Sequence, residues 1–174
     1  MESMEARMVK LYARNNNHVA LHAIPGHFAT SHSHINFYID MTSLKTRANE
    51  AQEVAKSLAG DYVNSTVVDT IVCMDGTEVV GAYLAQEFEK RGFRNTNLHD
   101  TIYVVTPEYN ANNQLIFRDN TIPAIKGKNV ILLLATTTTG LTVRRSLECV
   151  QYYGGTVRGI SSIFSTVKKV GGME

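Results

Sequence analysis

Asn129-Val130-Ile131-Leu132-Leu133-Leu134-Ala135-Thr136-Thr137-Thr138-Thr139-Gly140-Leu141-Thr142 is the stretch on which the fold turns. An apolar run ends abruptly in four threonines and a glycine, and a helical pattern starts at once. That order reads as a buried strand, a hydroxyl-rich loop and a helix N-terminus. Backbone N–H groups at such a junction face outward with the positive end of the helix dipole behind them, which suits an anion. The hydroxyls of Thr136, Thr137, Thr138, Thr139 and Thr142 can donate without adding charge. With Gly140 and Leu141 they form a cradle whose chemistry matches a phosphate monoester. One threonine is enough to cap a helix, and four exceed that need. The two positions before the threonines, Leu134 and Ala135, carry no acid.

On either side of this stretch, strands and helices alternate. The pattern predicts a strand at residues 67–74, a helix with Val79, Val80, Tyr83, Leu84 and Phe88 on one face, and a strand at 101–105. A polar excursion follows at 106–122, with a small hairpin near 114–117. After the central strand at 130–134 come a helix marked by Leu141, Val143, Leu147 and Val150, and a last strand at 156–164. Strands apolar on both faces, separated by amphipathic helices, make a parallel sheet covered on two sides, a doubly wound α/β architecture. Toward the N-terminus, Met4, Met8, Leu11 and Tyr12 fall at helical spacing. A strand at 19–24 is broken by Pro25-Gly26, and residues 35–40 form another. A helix runs over 44–59, capped by Thr42 or Ser43 and stopped by Gly60. Residues 1–174 read as one domain, of ordinary size.

In such sheets ligands bind beyond the carboxyl ends of the strands. A second loop there is Asp75-Gly76-Thr77-Glu78. Gly76 permits close approach of backbone to a ligand, but Asp75 and Glu78 repel an anion unless a divalent metal bridges them. The alternative is plain capping of the next helix by Asp75 or Thr77. Five of six histidines lie between His18 and His34. His27, His32 and His34 invite a metal, yet no cysteine or acid joins them at ligand spacing, and one strand face explains His32 with His34. No metal ligand is assigned.

The 17 basic and 16 acidic residues leave a net charge of +1, so nothing favours nucleic acid or an anionic membrane as partner. No run is long enough to span a bilayer, and none reads as a signal peptide. Cys73 and Cys149, each inside an apolar pattern, read as buried reduced thiols, and a cytoplasmic location follows.

Three segments resemble the type I phosphoribosyltransferases, most closely the orotate phosphoribosyltransferases. Residues 27–44 (HFATSHSHINFYIDMTSL) resemble that family's N-terminal substrate segment, 69–86 (DTIVCMDGTEVVGAYLAQ) its pyrophosphate-loop strand and helix, and 127–146 (GKNVILLLATTTTGLTVRRS) its phosphoribosyl-diphosphate signature. The resemblance implies a five-stranded parallel core, a small hood contributed mainly by about residues 15–43, and a homodimer. It implies a ribose 5-phosphate or nucleotide ligand in the 136–142 loop. It also implies magnesium-assisted transfer of phosphoribosyl to a base, of pyrimidine type from the N-terminal segment. Two family features are missing. The acidic pair that holds the ribose hydroxyls is replaced by Leu134 and Ala135, and residues 105–117 lack the arginine and lysine of the family's mobile loop. A monoester site thus persists without the groups for chemistry, and a non-catalytic nucleotide- or phosphosugar-binding regulatory protein is the alternative to a transferase.

Overall fold

A computed structural model describes residues 5–29, 34–62, 66–90 and 101–167. After a single 3-10 turn at Glu5–Arg7 comes an antiparallel sheet in the order β1 (Val9–Ala13), β2 (Asn16–Ala29), β3 (His34–Asp40). β1 stands where Leu11 and Tyr12 suggested a helix; Met4 lies outside the described residues. A tight turn at residues 14–15 folds β1 back on β2, setting Val9 opposite Ala23 and Leu11 opposite Leu21. Those cross-strand apolar pairs outweigh a helical spacing that a five-residue segment cannot turn into a stable helix by itself. Pro25-Gly26 does not end β2. The register shifts between Pro25 and Phe28, and a bulge is where a strand tolerates a residue without an N–H.

Two helices follow, α1 (Thr42–Thr46) and α2 (Ala48–Ala59). The sequence pattern predicts one helix here, but Arg47 is extended (φ −88°, ψ 120°) and breaks it. Neither Thr42 nor Ser43 caps α1. The Asp40 carboxylate accepts from the Thr42 N–H at 2.9 Å, and hydrogen bonds from Thr42 hold the Asp40 carboxyl below its ordinary range.

The remaining elements are β4 (Thr70–Cys73), α3 (Glu78–Lys90), β5 (Tyr103–Val105), β6 (Glu108–Tyr109), β7 (Leu115–Ile116), β8 (Asn129–Thr137), α4 (Leu141–Tyr152) and β9 (Thr156–Ser165). Four strands form a parallel sheet in the order β5-β4-β8-β9. This is one strand fewer, among the described residues, than the family resemblance implies. The polar excursion adds nothing to the sheet; β6 and β7 pair only with each other.

Alternation along β4 and β8 divides the core. Ile71, Cys73, Ile131 and Leu133 pack with Val54 of α2 and Val80, Leu84 and Phe88 of α3. Val72, Val130, Leu132 and Leu134 face the opposite side with Val143 and Val150 of α4. Helices on both faces of a parallel sheet are the doubly wound α/β arrangement. Val79 falls off the α3 core face and is 38% exposed. Both cysteines are buried and free, and burial pushes Cys73 up to about 12 and Cys149 up to about 11.

Gly81 lets α3 sit against β4, since a Cβ there would stand 2.3 Å from Cys73 Sγ and 3.2 Å from Val104 Cγ1. Gly81→Ala should therefore cost about 1–3 kcal/mol of overpacking. Urea unfolding should show that loss, and adding Cys73→Ala should recover part of it.

Candidate functional site

β8 does not stop at Leu134. It continues to Thr137, because β9 extends alongside it, pairing Thr136 with Phe164 and Thr137 with Ser165. Two of the four threonines are thus strand residues, and Thr138 and Thr139 make the turn. Gly140 sits at the helix N-cap with φ 76° and ψ 5°, a left-handed conformation that favours glycine. Thr139 Oγ1 receives a long hydrogen bond, 3.4 Å, from the Leu141 N–H. From the β9 end, Thr166 donates its N–H to the Thr137 carbonyl at 3.0 Å and its hydroxyl to the Thr138 carbonyl at 3.4 Å. These contacts hold the loop from the side of its carbonyls.

The loop borders a concavity of about 140 Å³ lined by Asp75 and residues 136–143. Thr138, Thr139 and Leu141 are exposed there. Thr137 is 6% exposed, and its Oγ1 is the one buried side-chain polar atom without a hydrogen-bond partner among the described residues. A buried hydroxyl left unpaired costs about 1–3 kcal/mol. Folded proteins satisfy nearly all such groups, so an exception calls for a physical explanation.

Leu134 and Ala135 are 0% and 3% exposed. Leu134 packs among Val72, Leu132 and Val143, and Ala135 belongs to the core on the other side of the sheet. The positions where the resembled family carries acids are dry on both faces.

The second loop separates into different roles. Asp75 (φ 57°) and Gly76 (φ 76°) are consecutive left-handed residues. Lys45, on α1, donates from Nζ to the Asp75 carbonyl at 2.8 Å. Thr77 is buried, and its hydroxyl contacts the carbonyls of Met74 at 2.8 Å and Leu133 at 3.2 Å. Glu78 Oε1 accepts from Thr106 Oγ1 at 3.1 Å. Of the four residues, only Asp75 borders the concavity. Burial pushes its carboxyl above the ordinary range, with Lys45 pulling the other way. The sequence gives no sign of Lys45, which is 30 residues away along the chain and reaches the loop only through tertiary packing.

Magnesium takes octahedral oxygen ligands, commonly one or two carboxylates with substrate phosphates. The concavity offers one carboxylate, on Asp75, which burial biases toward the neutral form. Glu78 is engaged with Thr106, and Leu134 and Ala135 are aliphatic. Among the described residues no group of three histidines, cysteines or acids could hold a metal ion. The residues present do not fit a magnesium site.

No protein-family model and no curated protein matches the sequence. Solved structures do match. Orotate phosphoribosyltransferase of Mycobacterium tuberculosis H37Rv, in complex with inorganic phosphate, superposes with a TM-score of 0.52 at 15% identity, over 82% of this chain and 75% of that one. Adenine phosphoribosyltransferase of Thermoanaerobacter pseudethanolicus gives 0.55 at 13% identity, over 93% and 85%. UMP synthase of Leishmania donovani gives 0.57 at 16% identity, over 83% of this chain and 33% of that longer one. The chain therefore has a type I phosphoribosyltransferase-like fold. Among the described residues no helix is long and apolar enough to cross a membrane.

Thr137→Val removes the unpaired hydroxyl while keeping the shape. We expect it to stabilise the ligand-free protein by about 1 kcal/mol in urea unfolding. If residues 136–142 hold a phosphate, the same change should weaken its binding roughly tenfold, since hydrogen bonds to charged groups are the stronger ones. Asp75→Asn tests the other rim. Because burial raises the Asp75 carboxyl above its unfolded value, the fold loses stability as pH rises through the carboxylate range. Asn tolerates the left-handed backbone, so Asp75→Asn should raise Tm at pH 7 and give no gain at pH 3.

Proposed function

We propose that this protein binds a ribose 5-phosphate-containing ligand, a nucleotide or phosphosugar, with the phosphate monoester at residues 136–142. The supporting observation is the buried, unpartnered Thr137 hydroxyl beside an open loop at a helix N-terminus. A tetrahedral phosphate has acceptor oxygens for that hydroxyl, for the exposed hydroxyls of Thr138 and Thr139, and for the first N–H groups of α4. The fold adds support, since one protein sharing it was crystallised with inorganic phosphate.

The reading is of a binding protein in which catalytic groups have been lost. Phosphoribosyl transfer passes through positive charge on the sugar, and an anionic partner is what stabilises such charge. Leu134 and Ala135 offer none, and both are packed into the core. Transfer to a pyrimidine-type base, with Asp75 as the remaining acid, is a second reading, favoured by the position of Asp75 on the rim of the same concavity. The proposal extends to a cytoplasmic homodimer that engages neither nucleic acid nor membrane.

Calorimetry with ribose 5-phosphate and nucleoside monophosphates tests the binding claim. Saturable heat that Thr137→Val diminishes is the expected result, and no heat from any of them contradicts it. Incubation with phosphoribosyl diphosphate and a panel of bases separates the two readings. Pyrophosphate release at background is expected; release well above it would establish a transferase.

A further inference from the structure

Outside that site, β2 and β3 bring two imidazoles together. Ala29 pairs with His34 across the strands, and His27, two residues before Ala29, shares its face by strand alternation. His27 Nε2 and His34 Nδ1 stand 2.9 Å apart, with ring centroids at 4.9 Å and planes 26° apart. Both residues are exposed. Water would satisfy each ring equally well, so burial does not force them together. His32 lies outside the described residues.

The separation carries chemical information. At the usual metal–imidazole length of about 2.0–2.1 Å, ligands at a right angle stand about 2.9 Å apart, and tetrahedral ligands about 3.4 Å apart. The observed 2.9 Å is an ordinary hydrogen-bond length and lies within about half an ångström of both spacings, so a small side-chain shift lets one ion take a lone pair from each ring. We propose that His27 Nε2 and His34 Nδ1 form a two-imidazole site for a divalent transition metal, Cu(II) first by the general affinity order of nitrogen ligands, which clamps β2 to β3. Without metal, one ring donates its N–H to the other. On binding, the donor ring moves that proton to its outer nitrogen, freeing both inner lone pairs, so no net proton need be lost from neutral rings. Among the described residues no third His, Cys, Asp or Glu completes a ligand set. Water fills the other positions, and affinity is correspondingly modest. The site stands independently of the phosphate loop.

The test is calorimetric titration of the full chain, without an added histidine tag, with NiCl2, CuSO4 and ZnCl2 at pH 7.5. One copper ion per chain is expected, bound more tightly than nickel or zinc. Each of His27→Ala and His34→Ala should weaken it at least tenfold. Both residues are exposed, so circular dichroism should show unchanged folding; His34→Gln provides a second probe that keeps a polar side chain in place. No binding, binding unchanged in the variants, or a preference for zinc would overturn the assignment.

Discussion

The structure depends on one strand being buried on both faces and bonded on both edges. β8 pairs with β4 on one side and β9 on the other, and its residues from Val130 to Leu134 have no exposed surface. Each side chain there must be apolar, because a charge in that position would be taken from water without a partner. The strand becomes polar only where it leaves the core, at Thr136. This one constraint places the threonine loop at the carboxyl edge of the sheet, and the residues at 134 and 135 are buried and aliphatic.

The two candidate loops consequently have different characters. The threonine loop keeps a buried donor with nothing to donate to, next to exposed hydroxyls and a helix N-terminus. The Asp75 loop is bound up with its own protein, through Thr77 to the backbone of β8, Glu78 to Thr106, and the Asp75 carbonyl to Lys45. A loop whose polar groups are satisfied internally has little to offer a ligand except the Asp75 carboxyl, and that group repels anions when ionised. An anion bound as we propose would meet one discouraging rim, which favours a singly esterified phosphate over a diphosphate.

Much of this is legible in the chain. The apolar run before Thr136, the glycine at 140 and the spacing of Val143, Leu147 and Val150 reveal strand, turn and helix from local chemistry. Residues 106–122 announce a ribbon by their polarity. Features that depend on distant partners are the ones the sequence hides. Leu11 and Tyr12 look helical until Leu21 and Ala23 pair across from β1. Pro25 looks like a strand end until the bulge is seen. Arg47 splits a helix that residues 44–59 would otherwise continue. Lys45 reaches Asp75 only because α1 packs beside α3, and the contact between His27 and His34 needs the β2–β3 register. The lone hydroxyl of Thr137 is equally invisible, since a sequence shows four donors and never which lacks an acceptor.

If the Thr137 hydroxyl and the turn after it exist to hold a phosphoryl group, a crystal of the protein grown or soaked in phosphate should reveal it. We expect a tetrahedral anion within hydrogen-bond distance of Thr137 Oγ1 and the first N–H groups of α4. A loop closed by its own side chains, with the Thr137 hydroxyl bonded to protein and no anion beside it, would show that the turn has no such role.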